Sequence, residues 1–475
     1  MILKLREVPK VSFKPEQLKY SRKNVWAQSS DAMRQEIMNF SEDYKHFLVA
    51  GKTERACVRE IIKRAAAQGF KFIEQSNGLK PGDKIMMNNR GKALLLAVIG
   101  QQGLDNGVSL IGSHTDVPRL DLKPQPLFEE AGMAYFKTHY YGGIKKYQWL
   151  ARPLALHGVV CLQNGQTIDI AIGDGPGDPV FNITDLLPHL AKDQMVKKLT
   201  EAVDGEQLNI LIGGIPLKDG EKDNAVKLAI LNLLHQNYGI TEEDLISAEL
   251  EAVPAGPAYD VGLDRSMVGA YGQDDRVCVY TSLRAILETT NPFRTAVALF
   301  VDKEEIGSTG NTGMNGSFLP DALAEIGSRL HPQFNNLTLR RVLAKSIALS
   351  ADVTPGLDPN FEGVLEKNNA ARIGGGVAIS KYTGAKGKYH TNDASAEFVA
   401  FVRSLFNRNN IVWQTGELGK VDQGGGGTIA HMIAELGFEV IDCGVALLSM
   451  HAPFEIASKA DVFEAYRAYK AFFAL

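Results

Sequence analysis

Cysteine is scarce in this chain of 475 residues: Cys57, Cys161, Cys278 and Cys443 lie far apart, with no CxxC spacing. They read as buried free thiols of a reducing compartment. The N-x-S/T triplets, such as that at Asn182, then carry no glycosylation role. Long apolar runs are also missing. The longest aliphatic stretch, Ala93 to Ile99, is far too short to span a bilayer. The opening MILKLREVPKVSFKPE interleaves charges and lacks the apolar core of a secretory signal. No basic run exists, and 51 basic residues against 55 acidic ones leave a net charge of −4. That balance argues against nucleic acid as a partner. There is no GxSxG and no cysteine beside a candidate histidine, which argues against a serine or cysteine hydrolase. GDGPGD at Gly173 lacks the Lys-Ser/Thr of a phosphate loop and reads as a turn. No internal repeat is found. The expectation is a soluble cytoplasmic protein without membrane or nucleic-acid partners.

What is present is an ordinary enzyme composition, 45% hydrophobic and 22% charged, in a chain long enough for two or three domains. Its most informative stretch is TAVALFVDKEEIGSTG. Thr295 to Val301 reads as a buried strand that breaks into Asp302, Lys303, Glu304 and Glu305, then Gly307 and Ser308. Adjacent glutamates at the mouth of a buried strand resist joint ionisation unless something positive sits there. A divalent cation is the economical candidate. In extended chain neighbouring side chains point apart, so one glutamate can bind metal while the other faces a water. The ordinary alternative is a solvated acidic turn.

Helical periodicity covers Trp26 to Ala50, opened by Ser29, Ser30 and Asp31, and again Thr53 to Gln68, ended by Gly69. Apolar runs follow at Ala93 to Ile99 and Val108 to Ile111, the second leading into Gly112-Ser113-His114-Thr115-Asp116. From about Val117 to Pro257 glycines, prolines and aromatic tracts alternate with short strand-like runs, interrupted by one helix near Asn224 to Gln236. This reads as a β-rich insertion, residues 118–256, in a domain made of 1–117 and 257–475. Asp274-Asp275-Arg276 precedes a helix, Val277 to Leu287, where acidic residues have the plain role of capping free N–H groups. Lys345 to Leu349 is a strand ending in Ser350-Ala351-Asp352, and Val445 to Leu448 is one ending in Ser449-Met450-His451. Helices are expected at Asn392 to Asn407, Ile429 to Leu436 and Ser458 to Phe473.

Four strands thus end in metal-capable side chains: His114, Glu304-Glu305, Asp352 and His451. In an open α/β sheet the carboxyl ends of strands form one rim, where ligands bind. Singly, each has a dull reading as a rim histidine or turn former. Two histidines and several carboxylates suit zinc, with manganese or cobalt as alternatives. Five ligands with a shared aspartate fit two ions about 3.5–4 Å apart, as in two-metal hydrolases. Asp116 is placed to accept the other ring N–H of His114 and fix its tautomer.

HTDVPRLDLKP, the DDR at Asp274, DKEEIGSTG, SADV at Ser350 and LSMHAPFE together resemble the aspartyl aminopeptidase and aminopeptidase I family of di-zinc exopeptidases. The resemblance spans nearly the whole chain, including the insertion. It implies an α/β fold with a zinc-exopeptidase-like mixed sheet flanked by helices and an inserted β-rich dimerisation domain. It implies hydrolysis of the N-terminal residue of peptides, with two zinc ions. His114 and Asp352 would hold one metal, Glu305 and His451 the other, Asp274 would bridge them, and Glu304 would be the general base. Asp275 would lie outside the ligand set. The resemblance further implies that His189 completes a neighbouring subunit's site and that dimers assemble into a dodecamer. For substrate contacts the residues themselves offer Gly425 and Gly426 in the run before a helix, and Lys381, Lys386 and Lys388, with His390 nearby. Tight turns and solvated lysines are the plain alternatives. The chain departs from the aspartyl branch at Asp275, where that branch has Asn, and at Ala452-Pro453-Phe454-Glu455, which puts a preference for acidic N-terminal residues in doubt. The rival reactions are a di-metal carboxypeptidase or N-deacylase, although no arginine clamp sits in the motifs. A non-catalytic assembly or cargo protein is a third reading.

Overall fold

The computed structural model describes residues 18–218 and 223–475, so the stretch Met1 to Glu16 that was read for a signal lies outside the described residues. The fold is mixed α/β. Its centre is a nine-stranded sheet whose four middle neighbours, Thr295–Val301, Val108–His114, Ile347–Ser350 and Glu439–Gly444, run parallel. Thr295–Val301 and Val108–His114 are buried at every position, which explains why Ala296 to Val301 reads as an unbroken apolar run and why Val108–His114 shows no alternation of apolar and charged residues. Helices cover both faces. One apolar cluster lies under Asp31–Ala50, Gln273–Leu287 and Lys459–Phe473, and another under Phe318–Leu330 and Asn336–Lys345.

Local signals set the helix boundaries. Trp26 to Ala50 is two helices, Val25–Gln28 and Asp31–Ala50, divided where Ser30 turns its hydroxyl to cap Met33. Thr53 caps Glu54–Ala67 in the same way. The helix expected from Asn392 begins only at Ala396, capped by Ser395, because the Asn392 side chain leaves the helix path to donate to the Val440 carbonyl. Phe318–Leu330 and Asn336–Lys345 went unread in the sequence, although Ala322, Leu323 and Ile326 share one buried face.

A second, six-stranded antiparallel sheet is drawn wholly from residues Arg119 to Pro254 and has its own apolar core. Its longest members, Arg119–Glu130 and Met133–Tyr141, form a hairpin whose last residue pair sets Arg119 beside Tyr141. A five-stranded sheet completes the body, pairing Tyr259–Val261, Met267–Ala270, Glu455–Ser458, Ala446–Leu448 and Thr354–Pro355. The strand that precedes His451 belongs to this smaller sheet, not to the central one. The chain leaves the central sheet at Gly444, where a side chain would sit 1.9 Å from the Asp352 carbonyl oxygen. No helix among the described residues is long and apolar enough to cross a membrane.

Candidate metal centre

His114 is the last residue of its strand, Glu304 follows Val301 by three residues, and Asp352 follows Ser350 by two. Because those strands are parallel neighbours, the side chains meet at one rim. Asp274 arrives from the start of the helix Gln273–Leu287, and His451 from the turn after Ala446–Leu448. His114, Asp274 and Asp352 place donor atoms within 4.8 Å of one another, and so do Asp274, Glu305 and His451. Asp274 is common to both groups. Its Oδ1 lies 3.4 Å from His114 Nε2 and its Oδ2 lies 3.2 Å from His451 Nε2. Glu305 Oε2 is 3.5 Å from His451 Nε2, and Asp352 Oδ1 is 4.0 Å from His114 Nε2.

Two local details differ from the extended-chain picture. Lys303 takes a left-handed conformation (φ 68°), and Glu304–Ile306 is a single 3₁₀ turn. The two glutamates therefore diverge by about 120° of helical rotation rather than by the pleat of a strand. Asp274 and Asp275 do not cap their helix: both have non-helical backbone angles and the peptide joining them is cis. Asp275 instead accepts from the His114 backbone N–H at 3.3 Å.

The electrostatics are those of a site short of positive charge. Burial pushes the Glu304 carboxyl up to about 7, with Asp116 and Asp274 adding to it. Burial and Asp274 raise Glu305, and burial and Asp275 raise Asp352, both well above the usual carboxylate range. Burial alone would lower the imidazoles, but Asp116 and Asp274 hold His114 high, and Asp274 and Glu305 hold His451 at about 11. Glu305 Oε1 is buried and has no hydrogen-bond partner. Two oxygen- and nitrogen-rich donor groups with an orphaned buried carboxylate oxygen fit divalent cations. The side chain of His114 is 2% exposed and that of His451 36%, so the site opens on the His451 side.

Asp116 gathers the rim together. It accepts from the backbone N–H groups of Glu304 at 3.1 Å and Glu305 at 3.2 Å, and from the Tyr141 hydroxyl at 2.8 Å. The nearest partner of His114 Nδ1 is the Asp116 backbone carbonyl at 3.0 Å, with the carboxylate at 3.3 Å. Glu304 Oε2 stands 3.9 Å from His114 Nε2 and belongs to neither donor group.

The remaining candidates lie elsewhere. Lys381 and Lys388 both pair with Asp393, at 2.7 and 3.0 Å. Gly425–Gly426 forms a two-stranded ladder with Gly384–Ala385 instead of opening a helix, and the next helix begins at Ala430. His189 sits exposed in the 3₁₀ turn Pro188–Leu190.

Glu455, which enters the sequence analysis only as part of a departure from the aspartyl branch, has a role that its motif did not assign. It is 1% exposed, and its two carboxylate oxygens accept from the backbone N–H groups of His451 at 2.7 Å and Asp274 at 3.0 Å. Burial pushes this carboxyl up to about 8, whereas the two amide donors favour the charge. With both oxygens accepting, the ionised form is the one the geometry accommodates. Its only signal was an acid inside the otherwise apolar run Ala452 to Ala457.

Residues 47–473 match the model of the aminopeptidase I zinc metalloprotease family, M18. The "Probable M18 family aminopeptidase 1" of Clostridium acetobutylicum is 49% identical over 462 residues, covering 96% of this chain and 99% of that one. A crystal structure of an M18 aminopeptidase from Thermotoga maritima superposes with a TM-score of 0.92 at 48% identity, over 96% of this chain and 99% of that chain. The S. cerevisiae mApe1 dodecamer shares the fold at a TM-score of 0.73 and 23% identity, over 91% of this chain and 95% of that chain. With a zinc-peptidase family matched over nearly its full length, this chain belongs to the M18 family of zinc aminopeptidases.

Proposed function

We propose that this aminopeptidase holds two divalent cations, zinc first, and uses Glu304 to hydrolyse the N-terminal residue from peptides. The observation that carries this reading is the pair of donor groups sharing Asp274. His114, Asp274 and Asp352 hold one cation, and Asp274, Glu305 and His451 the other. When bound, such ions lower the pKa of a water towards about 7 and polarise a carbonyl. Glu304 takes the proton released by the attacking water and returns it to the leaving amine. Glu304 stands 3.9 Å from His114 Nε2 yet belongs to neither donor group, so its carboxylate is free to carry that proton. Asp116 orients His114 and fixes the Glu304-Glu305 turn through its backbone N–H groups.

The test replaces Glu304 by Gln. Cation content should stay at two per chain while kcat falls by about 10²–10⁴-fold. A variant with near-normal kcat in saturating zinc would remove Glu304 from the proton transfer. A panel of aminoacyl anilides, each also N-acetylated, tests the end of the peptide attacked. Equal cleavage of acetylated and free substrates would favour the carboxypeptidase or N-deacylase reading. Preference for acidic residues rests on Lys381, which pairs with Asp393, and glutamyl against leucyl anilide decides it.

We further propose that residues 118–256 are an inserted unit that dimerises and that the dimers form a larger homo-oligomer in the cytoplasm. Support comes from exposed apolar side chains gathered there, among them Leu190 (68%), Met195 (80%), Val196 (82%) and Ile215 (83%). The shared fold with the mApe1 dodecamer is a second support. In the oligomer proposed for this chain, His189, exposed on the 3₁₀ turn Pro188–Leu190, would reach a neighbouring subunit's site, and Gly425 and Gly426 are proposed substrate contacts.

A further inference from the structure

Each imidazole turns Nε2 towards Asp274 and Nδ1 away from it. The groups that fix the Nδ1 sides converge on one short piece of chain, and that piece comes from the six-stranded sheet. At the end of the strand Met133–Tyr141, the Tyr141 hydroxyl donates to Asp116 Oδ2 at 2.8 Å. Asp116 in turn borders His114 Nδ1. Two residues later the Gly143 carbonyl lies 2.8 Å from His451 Nδ1. A carbonyl oxygen only accepts, so in both rings Nδ1 carries a hydrogen, and Nε2 is the nitrogen left to give up its proton and bind a cation at the rim. Gly142, between them, has φ 73°, and a methyl group there would sit 3.3 Å from Glu305 Cβ, so the corner runs close beside a third donor and leaves no room for a side chain at that point. The Arg119 guanidinium lies 3.9 Å from the centre of the Tyr141 ring. Its Nε is 2.8 Å from Asp121, and its Nη1 is 3.4 Å from Glu54, which starts a helix of the other body. The tyrosine is thereby clamped on its face as well as at its hydroxyl.

We propose that the Tyr141–Gly143 corner is a positioning element for both imidazoles, so that divalent-cation affinity at the rim depends on the six-stranded sheet being docked. This rests on the two-cation reading above. Tyr141 acts through Asp116 on the His114 group, and Gly143 acts directly on the His451 group. The two halves of the corner therefore have separable effects.

The experiment is zinc titration of the metal-free protein in competition with a chromogenic chelator, with thermal midpoints recorded alongside. Tyr141→Phe keeps the ring on Arg119 and deletes only the hydroxyl. It should weaken one of the two zinc sites by about 10–100-fold, the range for losing a partner behind a ligand. The other site should be unchanged, the metal-free midpoint should fall by no more than about 3 °C, as for one lost hydrogen bond to a charged group, and activity should return as zinc is raised. Gly143→Ala, whose added methyl would lie 3.3 Å from His451 Nδ1, should weaken the other site. Tyr140→Phe, on an adjacent exposed ring, should change neither. Wild-type zinc affinity in both Tyr141→Phe and Gly143→Ala would overturn the proposal, as would a loss of affinity accompanied by a fall in the metal-free midpoint well beyond about 3 °C, which would mark a general loss of structure. If the unsubstituted protein bound fewer than two zinc ions, the two-cation reading itself would fall.

Discussion

Replacing Glu455 by Gln changes one oxygen to an NH₂ group and leaves the side chain's shape intact. In the structure both oxygens accept from backbone N–H groups, of His451 at 2.7 Å and Asp274 at 3.0 Å. A glutamine has one acceptor, so whichever way its amide turns, one buried N–H faces another donor. The loss is one charge-assisted hydrogen bond, about 1.5–3 kcal/mol, with a buried donor left unpaired at about 1–3 kcal/mol. We take about 3 kcal/mol in total. At about 2.1 cal/mol/K per residue, unfolding of a chain this long carries an entropy near 1 kcal/mol/K, so the midpoint should fall by about 3 °C. The larger effect is on metal. Asp274 belongs to both donor groups and His451 to one, so loosening their backbones should weaken zinc at both sites by about tenfold. Calorimetry of the metal-free protein and competitive zinc titration measure the two quantities independently. A Gln variant with an unchanged midpoint and unchanged zinc affinities would refute the idea that this buried carboxylate holds the two ligand backbones in place.

Two further outcomes test the body around the site. Asp174 accepts from Lys52 at 2.6 Å and the Gly256 N–H at 2.8 Å, and faces His157 at 2.8 Å. Although burial raises it, the His157 and Lys52 contacts bring its carboxyl down to about 2. A folded pKa below the unfolded value of about 3.9 stabilises above that pH and fades as pH falls towards 2. Asp174→Asn should therefore lose about 1 kcal/mol at pH 7, allowing for partial exposure, and the gap in urea midpoint should narrow by pH 3. A gap that widens on acidification would contradict the sign. For assembly, Met195→Glu with Ile215→Glu places charge on side chains 80% and 83% exposed in one chain. The double variant should shift sedimentation to smaller species while its circular dichroism is unchanged. Undiminished assembly would move the interface elsewhere.

Much of the centre was legible because the strands Val108–His114 and Thr295–Val301 are buried on both faces and so lack the polar–apolar alternation of a half-exposed strand, Ala296 to Val301 being apolar throughout. Polar residues directly after such runs stand out, which is how His114, Glu304, Glu305 and Asp352 were picked from the chain. The hairpin Arg119–Glu130 and Met133–Tyr141 is not legible as two strands within the β-rich insertion, since a register shift between Leu122 and Leu127 breaks its alternation. The Glu304-Glu305 divergence was legible in outcome but not in cause, because a left-handed Lys303 carries no mark in composition.

By itself the sequence determined which side chains end up at strand ends, and therefore which residue types the rim has to offer, because burial period and turn chemistry act over a few residues. Only the tertiary structure decided that Asp274 lies between His114 and His451, that Glu455 bonds the backbones of two of them, and that Tyr141 and Gly143 brace both imidazoles from another sheet. Those contacts join residues as many as 308 positions apart. Hydrogen bonds at that range leave no local period, and they exist only once separate sheets have docked.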